Sequence, residues 1–130
     1  MRIYAATSPA DILDRLSILD IKADRLTDPA KLEHVRHERA ELSKAWQMTA
    51  KDFARINGRY TRLKAVNTEL WMLEDAMRAA LANAATYAAD IASIARNIQK
   101  QNDERARLKR EVNEAMGSSI REQKSLAEEV

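Results

Sequence analysis

The sequence predicts an all-α protein: an antiparallel bundle of about four helices, two or three of them long, with coiled-coil-like packing. Three observations lead there. The 130 residues hold two Gly, two Pro and one Phe, whereas a sheet wants turn glycines and β-branched or aromatic runs. Apolar residues recur at alternating spacings of three and four, which keeps them on one helical face. Ser8-Pro9 and Asp28-Pro29 read as helix starts, because Ser and Asp cap free N–H groups and Pro suits the first helical position.

A single domain is expected over 1–130, with 1–7 as a lead-in and 118–130 as a short helix or flexible tail. Helix one opens at Ser8-Pro9, with Asp11 at its positive end. Ile12, Leu16, Leu19, Ala23 and Leu26 form its seam, and Leu13, Ile18 and Ile21 widen it enough to touch two neighbours. Helix two is expected from Pro29 to Asn57, with Leu32, Val35, Leu42, Trp46, Phe53 and Ile56 inward and Arg39 and Thr49 in the same frame. Asn57-Gly58 is its expected stop, although the apolar frame runs on through Gly58, so one continuous rod is the alternative. Helix three follows from about Arg59 to Asn83, with Tyr60, Leu63, Leu70, Met77 and Leu81 inward. Asn83 or Thr86 caps helix four, which carries Tyr87, Ile91, Ile94, Ile98, Leu108 and Val112 inward. Met116-Gly117-Ser118-Ser119 closes it. At ~1.5 Å per residue, helices two and four reach on the order of 40 Å. Helix one is shorter, so apolar seam stays uncovered, and a homodimer would bury it.

Composition narrows the function classes. The chain has no Cys, which leaves no disulfide, thiol chemistry or thiolate metal site and fits a reducing compartment. There is no apolar run of ~18 residues to span a membrane, and the first residues lack the apolar core of a signal peptide. A cytoplasmic location is expected. A formal charge of +2 is too small to argue for nucleic acid by itself. Its distribution says more: Lys51 to Lys64 and Arg96 to Arg110 are both basic, and the last twenty residues are acidic.

Beside the apolar face of helix three runs a polar stripe, Asn67, Trp71, Glu74 and Arg78, with Asp75 adjoining. Folding helices three and four together about residue 85 sets Asn67 level with Asn102 and Asp103, Glu74 with Arg96, and Tyr60 with Arg110. The two basic stretches then meet at one end. Helix four adds its own line, Asn102, Arg105 or Ala106, Lys109 and Asn113, and Asp11, Asp14 and Arg15 of helix one are expected at the Glu74 level. Such a wall reads first as a structural network that fixes register. It reads second as a site for a phosphate, carboxylate or sugar, with Arg78, Arg96, Arg105 and Lys109 as donors, Asn67, Asn102 and Glu74 positioning, and Asp75 and Asp103 in the same group. Catalysis by Glu74 or Asp75 as acid or base comes last, since no nucleophile accompanies them. His34 and His37 lie near Glu38 and Glu41, but a solvated charged face accounts for them better than a metal. No metal and no cofactor are expected.

Several stretches together resemble a family of short, all-helical bacterial and phage-encoded proteins known only as a domain of unknown function. They are Ser8-Pro9, Asp14 to Lys22, Asp28 to Leu32, Asn67 with Leu70-Trp71, Glu74-Asp75 and Arg78, then Ala95-Arg96, Asn102-Asp103, Arg105-Ala106, Lys109, Asn113, Gly117-Ser118 and Glu122 to Ser125. The chain departs from the family pattern at Gln99 and Leu126, where aromatics are expected. The resemblance implies an all-helical fold and no particular activity. It also implies a setting near glycosyltransferases, tetratricopeptide-type proteins and phage genes, which favours binding of a partner or a sugar phosphate.

The expectation is therefore a non-catalytic helical interaction module that forms a dimer or binds a protein partner. An anionic small molecule, a sugar phosphate or nucleotide, held at the inter-helix site is the alternative, and nucleic acid at the basic end is third.

Overall fold

The computed structural model describes residues 1–49 and 56–120 and places in them four helices: α1 Pro9–Arg25, α2 Pro29–Thr49, α3 Asn57–Ala82 and α4 Ala88–Ala115. No strand occurs among the described residues. Local chemistry sets most of the ends. Ser8 Oγ accepts the Asp11 amide at 3.2 Å with Pro9 at the first helical position. Asp28 Oδ1 likewise accepts the Ala30 amide at 2.9 Å. At the far end of α4, Gly117 takes φ +65°, a left-handed conformation that costs an L side chain energy. The Ser118 amide then reaches Asn113 O at 2.9 Å and the Gly117 amide reaches Glu114 O at 3.2 Å, which satisfies carbonyls the helix would leave open.

Three boundaries differ from expectation. Asn57-Gly58 does not end α2; both residues lie in the first turn of α3, and the separation from α2 falls before them. A Cβ at Gly58 would meet nothing within 4 Å, so glycine is not required there by crowding. Neither Asn83 nor Thr86 caps α4. Asn83 ends α3 and starts the connecting turn, its Oδ1 accepting the Ala85 amide at 3.0 Å, and Tyr87 precedes α4 without a side-chain cap. Phe53, Lys51 and Arg55, the Thr49 side chain, and residues from 121 onward lie outside the described residues.

α3 and α4 form a long antiparallel hairpin, tied near its open end by Arg59 and Glu111 at 3.9 Å. α1 lies across that end and packs against α2, α3 and α4 alike. Its first turns sit on α4, through Ala10 to Asn113 and Asp11 to Lys109. Its later turns sit on α3, through Ser17 to Asn67 and Asp20 to Tyr60. α2 runs back along α1, held by Arg15–Glu38 and Arg39–Asp20. The core gathers beneath α1: Ala10, Leu13, Leu16, Trp46, Ile56, Leu63, Val66, Leu70, Leu108 and Val112.

Beyond α1 the described helices leave the hairpin uncovered. Of the described residues 71–107 none is buried. Met77, Ile91 and Ile94 are half-buried, as is Ile98, which packs against the core, while Leu81 is 65% and Tyr87 78% exposed. The inward placement expected for Leu81 and Tyr87 is thus corrected: they have the helical phase of core residues but no third helix above them. The molecule has a covered base and an uncovered two-helix arm. No described helix is long and apolar enough to cross a membrane.

Candidate functional site

The polar residues that follow the α3–α4 groove divide at the edge of α1. On the base side they close into a network. Asp14, 4% exposed, accepts Arg105 Nε at 3.0 Å on one oxygen and Arg105 Nη2 on the other, a two-pronged pairing. Asn67, 6% exposed, donates its amide to Asp14 at 2.9 Å and to Ser17 Oγ at 2.8 Å. Ser17 in turn donates to the Asp14 carbonyl at 2.7 Å. A buried carboxylate costs several kcal/mol in desolvation unless it is paired and hydrogen-bonded, and here four donors answer one residue.

Next to this hub, Lys109 Nζ meets Asp11 at 3.0 Å. Burial pushes the Asp11 carboxyl up, but its hydrogen bond to Lys109 and the Lys109 charge outweigh that and hold it below the ordinary range. Buried Asn113 accepts the Ala10 amide at 3.0 Å, one of the donors a helix start leaves open. Tyr60 and Arg39 both donate to Asp20. Burial first, then the Asp20 hydrogen bond and charge, push the Tyr60 phenol well above its usual value.

On the arm side the line continues without closing. Tyr60, Asn67, Glu74 and Leu81 stand seven apart on α3, so they share a face; the first two meet α1, and no other described helix lies over the last two. Trp71, Glu74, Asp75 and Arg78 surround a depression of about 170 Å³. Arg78 Nη1 bonds Asp75 at 2.9 Å, both exposed. Along α4 the line of Asn113, Lys109 and Arg105 extends by threes and fours to Asn102, Ile98, Ala95 and Ile91, all half-buried or exposed.

The expected site residues therefore separate into groups. Asn67, Arg105 and Lys109 come together, but around Asp14, Ser17 and Asp11. Glu74, Asp75 and Arg78 come together on the arm. Arg96 is exposed and forms no pair with Glu74 among the described residues; Asn102 and Asp103 are half-buried. Asp11, Asp14 and Arg15 do not stand at the Glu74 level. Asp14 meets Asn67 and Arg105, Asp11 meets Lys109, and Arg15 faces Glu38 at 3.3 Å, because α1 crosses the open end rather than running up the arm. The sequence reading gives Ser17 and Asp20 no role. Their signal was present: polar residues three and six positions from Asp14, on the same side of the helix.

The described parts of the two basic stretches come together, and acids answer several of their cations. Arg59 pairs with Glu111, Arg107 with Glu104 and Glu111, Arg105 with Asp14, and Lys109 with Asp11. A second cleft, about 620 Å³ and open, lies between the lead-in and α1–α2, bordered by Lys22, His34, His37 and two ion pairs, Arg15–Glu38 and Arg2–Glu41, each at 3.3 Å. Among the described residues no three His, Asp or Glu stand close enough to hold a metal ion.

The fold and groove define a class: a helical hairpin clamped at its open end by a crossing helix, with one half of its groove filled from within the chain. The chain belongs to a family of unknown function, DUF6165, whose model matches residues 3–130. No curated protein and no solved structure matches it.

Proposed function

We propose that the protein is a non-catalytic helical interaction module that docks a helix of a second polypeptide along the α3–α4 arm. The observation that carries this reading is the continuity of one groove through two halves. In the base, a helix already lies in it, with apolar Leu13 and Leu16 in the core and Asp11 and Asp14 on the flanking cations. In the arm, the same face goes on through Trp71, Glu74, Arg78 and Leu81 with no residue buried. Two-helix hairpins rarely bury enough apolar surface by themselves, and another helix in the groove supplies what α1 supplies below.

The alternative, an anionic small molecule among the Arg, Lys and Asn residues, has less support. Arg105 and Lys109 already face Asp14 and Asp11, and Arg96 stands apart. Nucleic acid at the basic end meets the same objection in part, since Arg59, Arg105, Arg107 and Lys109 face carboxylates.

Thermal unfolding with a panel of sugar nucleotides, phosphosugars, inorganic phosphate and a polyanion decides between them. A ligand that binds the native state stabilises it by ~2.7 kcal/mol at one hundred times its dissociation constant. The docking reading expects a flat panel. A clear rise with one anion class overturns it in favour of a ligand site.

A further inference from the structure

Above Leu70, the last buried residue of α3, four side chains share the uncovered face: Trp71, Glu74, Arg78 and Leu81. Their spacings are three, four and three. The order is symmetric about position 76, apolar, charged, charged, apolar, and the two charges are opposite. Contacts between identical copies about a two-fold axis require such self-complementarity, residue i meeting j while j meets i. An antiparallel second copy of α3 with its axis at the level of residue 76 sets each Glu74 opposite the other chain's Arg78 and each Trp71 opposite the other chain's Leu81. Moving the axis to residue 74 puts Glu74 on Glu74, and moving it to 78 puts Arg78 on Arg78. Charge thus selects one register.

We infer that the helix docked on the arm is α3 of a second copy of this chain, in this antiparallel register. The inference rests on reading the arm as a docking surface and names its occupant. Four features of the single chain fit it. Arg78 pairs with Asp75 at 2.9 Å and leaves Glu74 without an ionic partner among the described residues, so a cation from outside has a vacant carboxylate to meet. Leu81 projects as an exposed knob, and the depression of about 170 Å³ bounded by Trp71, Glu74, Asp75 and Arg78 offers a hole to receive it, the geometry of knobs-into-holes packing. Trp and Arg, moreover, are the residue types that dominate interface energetics. The alanines that follow, Ala79, Ala80 and Ala82, leave room for two backbones to approach.

Charge reversal at two exposed positions tests the register with little risk to the fold. Sedimentation equilibrium on the full chain is expected to give a dimer. Glu74→Arg alone gathers four cations at the axis, and Arg78→Glu alone gathers four carboxylates; each is expected to weaken association at least tenfold while the helical circular dichroism and melting midpoint of the monomer persist. Mixed in equal amounts, the two variants restore the dimer, because every Arg of one chain then faces a Glu of the other. The inference is overturned if the native chain stays monomeric at several hundred micromolar, if the single variants associate like the native chain, or if the mixture stays monomeric. A monomeric native chain with a flat anion panel removes only this occupant; a panel that responds to an anion removes the docking reading itself.

Discussion

The two halves of the α3–α4 hairpin have similar sequences in one respect and opposite fates. Both carry apolar residues at three–four spacing with a polar line beside them. In the base, α1 closes over that pattern, and Leu63, Leu108 and Val112 are fully buried while Asn67 and Arg105 serve one carboxylate. In the arm the same pattern stays open, Leu81 and Tyr87 face outward, and Glu74 finds no cation among the described residues. What separates them is one crossing helix of 17 residues, too short to reach. Helical phase says which side of a helix is apolar; whether that side is core depends on an element elsewhere in the chain.

Truncation measures the contrast most sharply. Leu108→Ala removes a fully buried side chain and is expected to cost roughly 2–5 kcal/mol. Leu81→Ala, in the arm, is expected to stay within about 0.5 kcal/mol in the monomer. Denaturant midpoints at dilute protein compare the two, and equal losses would mean that the arm is covered after all.

The polar lines should differ in the same sense. Asp14→Ala removes the carboxylate that takes two hydrogen bonds from Arg105 and one from Asn67. Breaking a fully buried pair costs ~3–5 kcal/mol; because the Arg105 side chain still reaches water, about 2–4 is expected. Glu74→Ala breaks no ionic contact among the described residues and is expected to leave monomer stability nearly unchanged. If chemical denaturation finds Asp14→Ala mild, the base network is not the clamp described above.

Acid provides a smaller probe of the same clamp. The folded Asp11 carboxyl titrates below its unfolded value of ~3.9 because of Lys109. Its contribution is therefore fully present above that value and lost as pH falls through the lower, folded one. Asp11 is partly exposed, so the loss is at most about 1 kcal/mol. Stability measured from pH 6 downward should fall less steeply in Asp11→Asn than in the native chain.

Much of this was legible in the chain, for physical reasons that also mark where legibility ends. Ser8-Pro9, Asp28-Pro29 and Met116-Gly117-Ser118 act through neighbours in sequence, so their roles as starts and stop can be read directly. The meeting of Arg59 with Glu111 follows from folding one hairpin about residue 85, which needs only helix lengths. The level of Asp14 was not legible, because it depends on the angle at which α1 crosses, and no local residue encodes that. Leu81 and Tyr87 were misplaced because periodicity is blind to cover. Asn57-Gly58 misled because a helix tolerates an early glycine at modest cost, so a residue common at helix ends can also sit at a helix beginning.

That glycine supplies the finest test of whether base and arm are separate units. Gly58 lies in the first turn of α3 at the base, and an added methyl group there would have nothing within 4 Å. Alanine at this position loses less backbone freedom on folding than glycine, a gain of about 0.5 kcal/mol at a helix end, below the ~1 kcal/mol of a mid-helix site. Base amides that exchange only by global unfolding should slow about twofold in Gly58→Ala, as 1.4 kcal/mol corresponds to tenfold. Arm amides, which have little burial to hold them, should exchange through local opening and keep their native rates. Hydrogen exchange followed along α3 would then show the effect stopping between Leu70 and the tip, where α1 stops covering the hairpin. A uniform slowing from Tyr60 to Leu81 would mean that the hairpin opens as one piece and that the edge of α1 is no boundary in its stability.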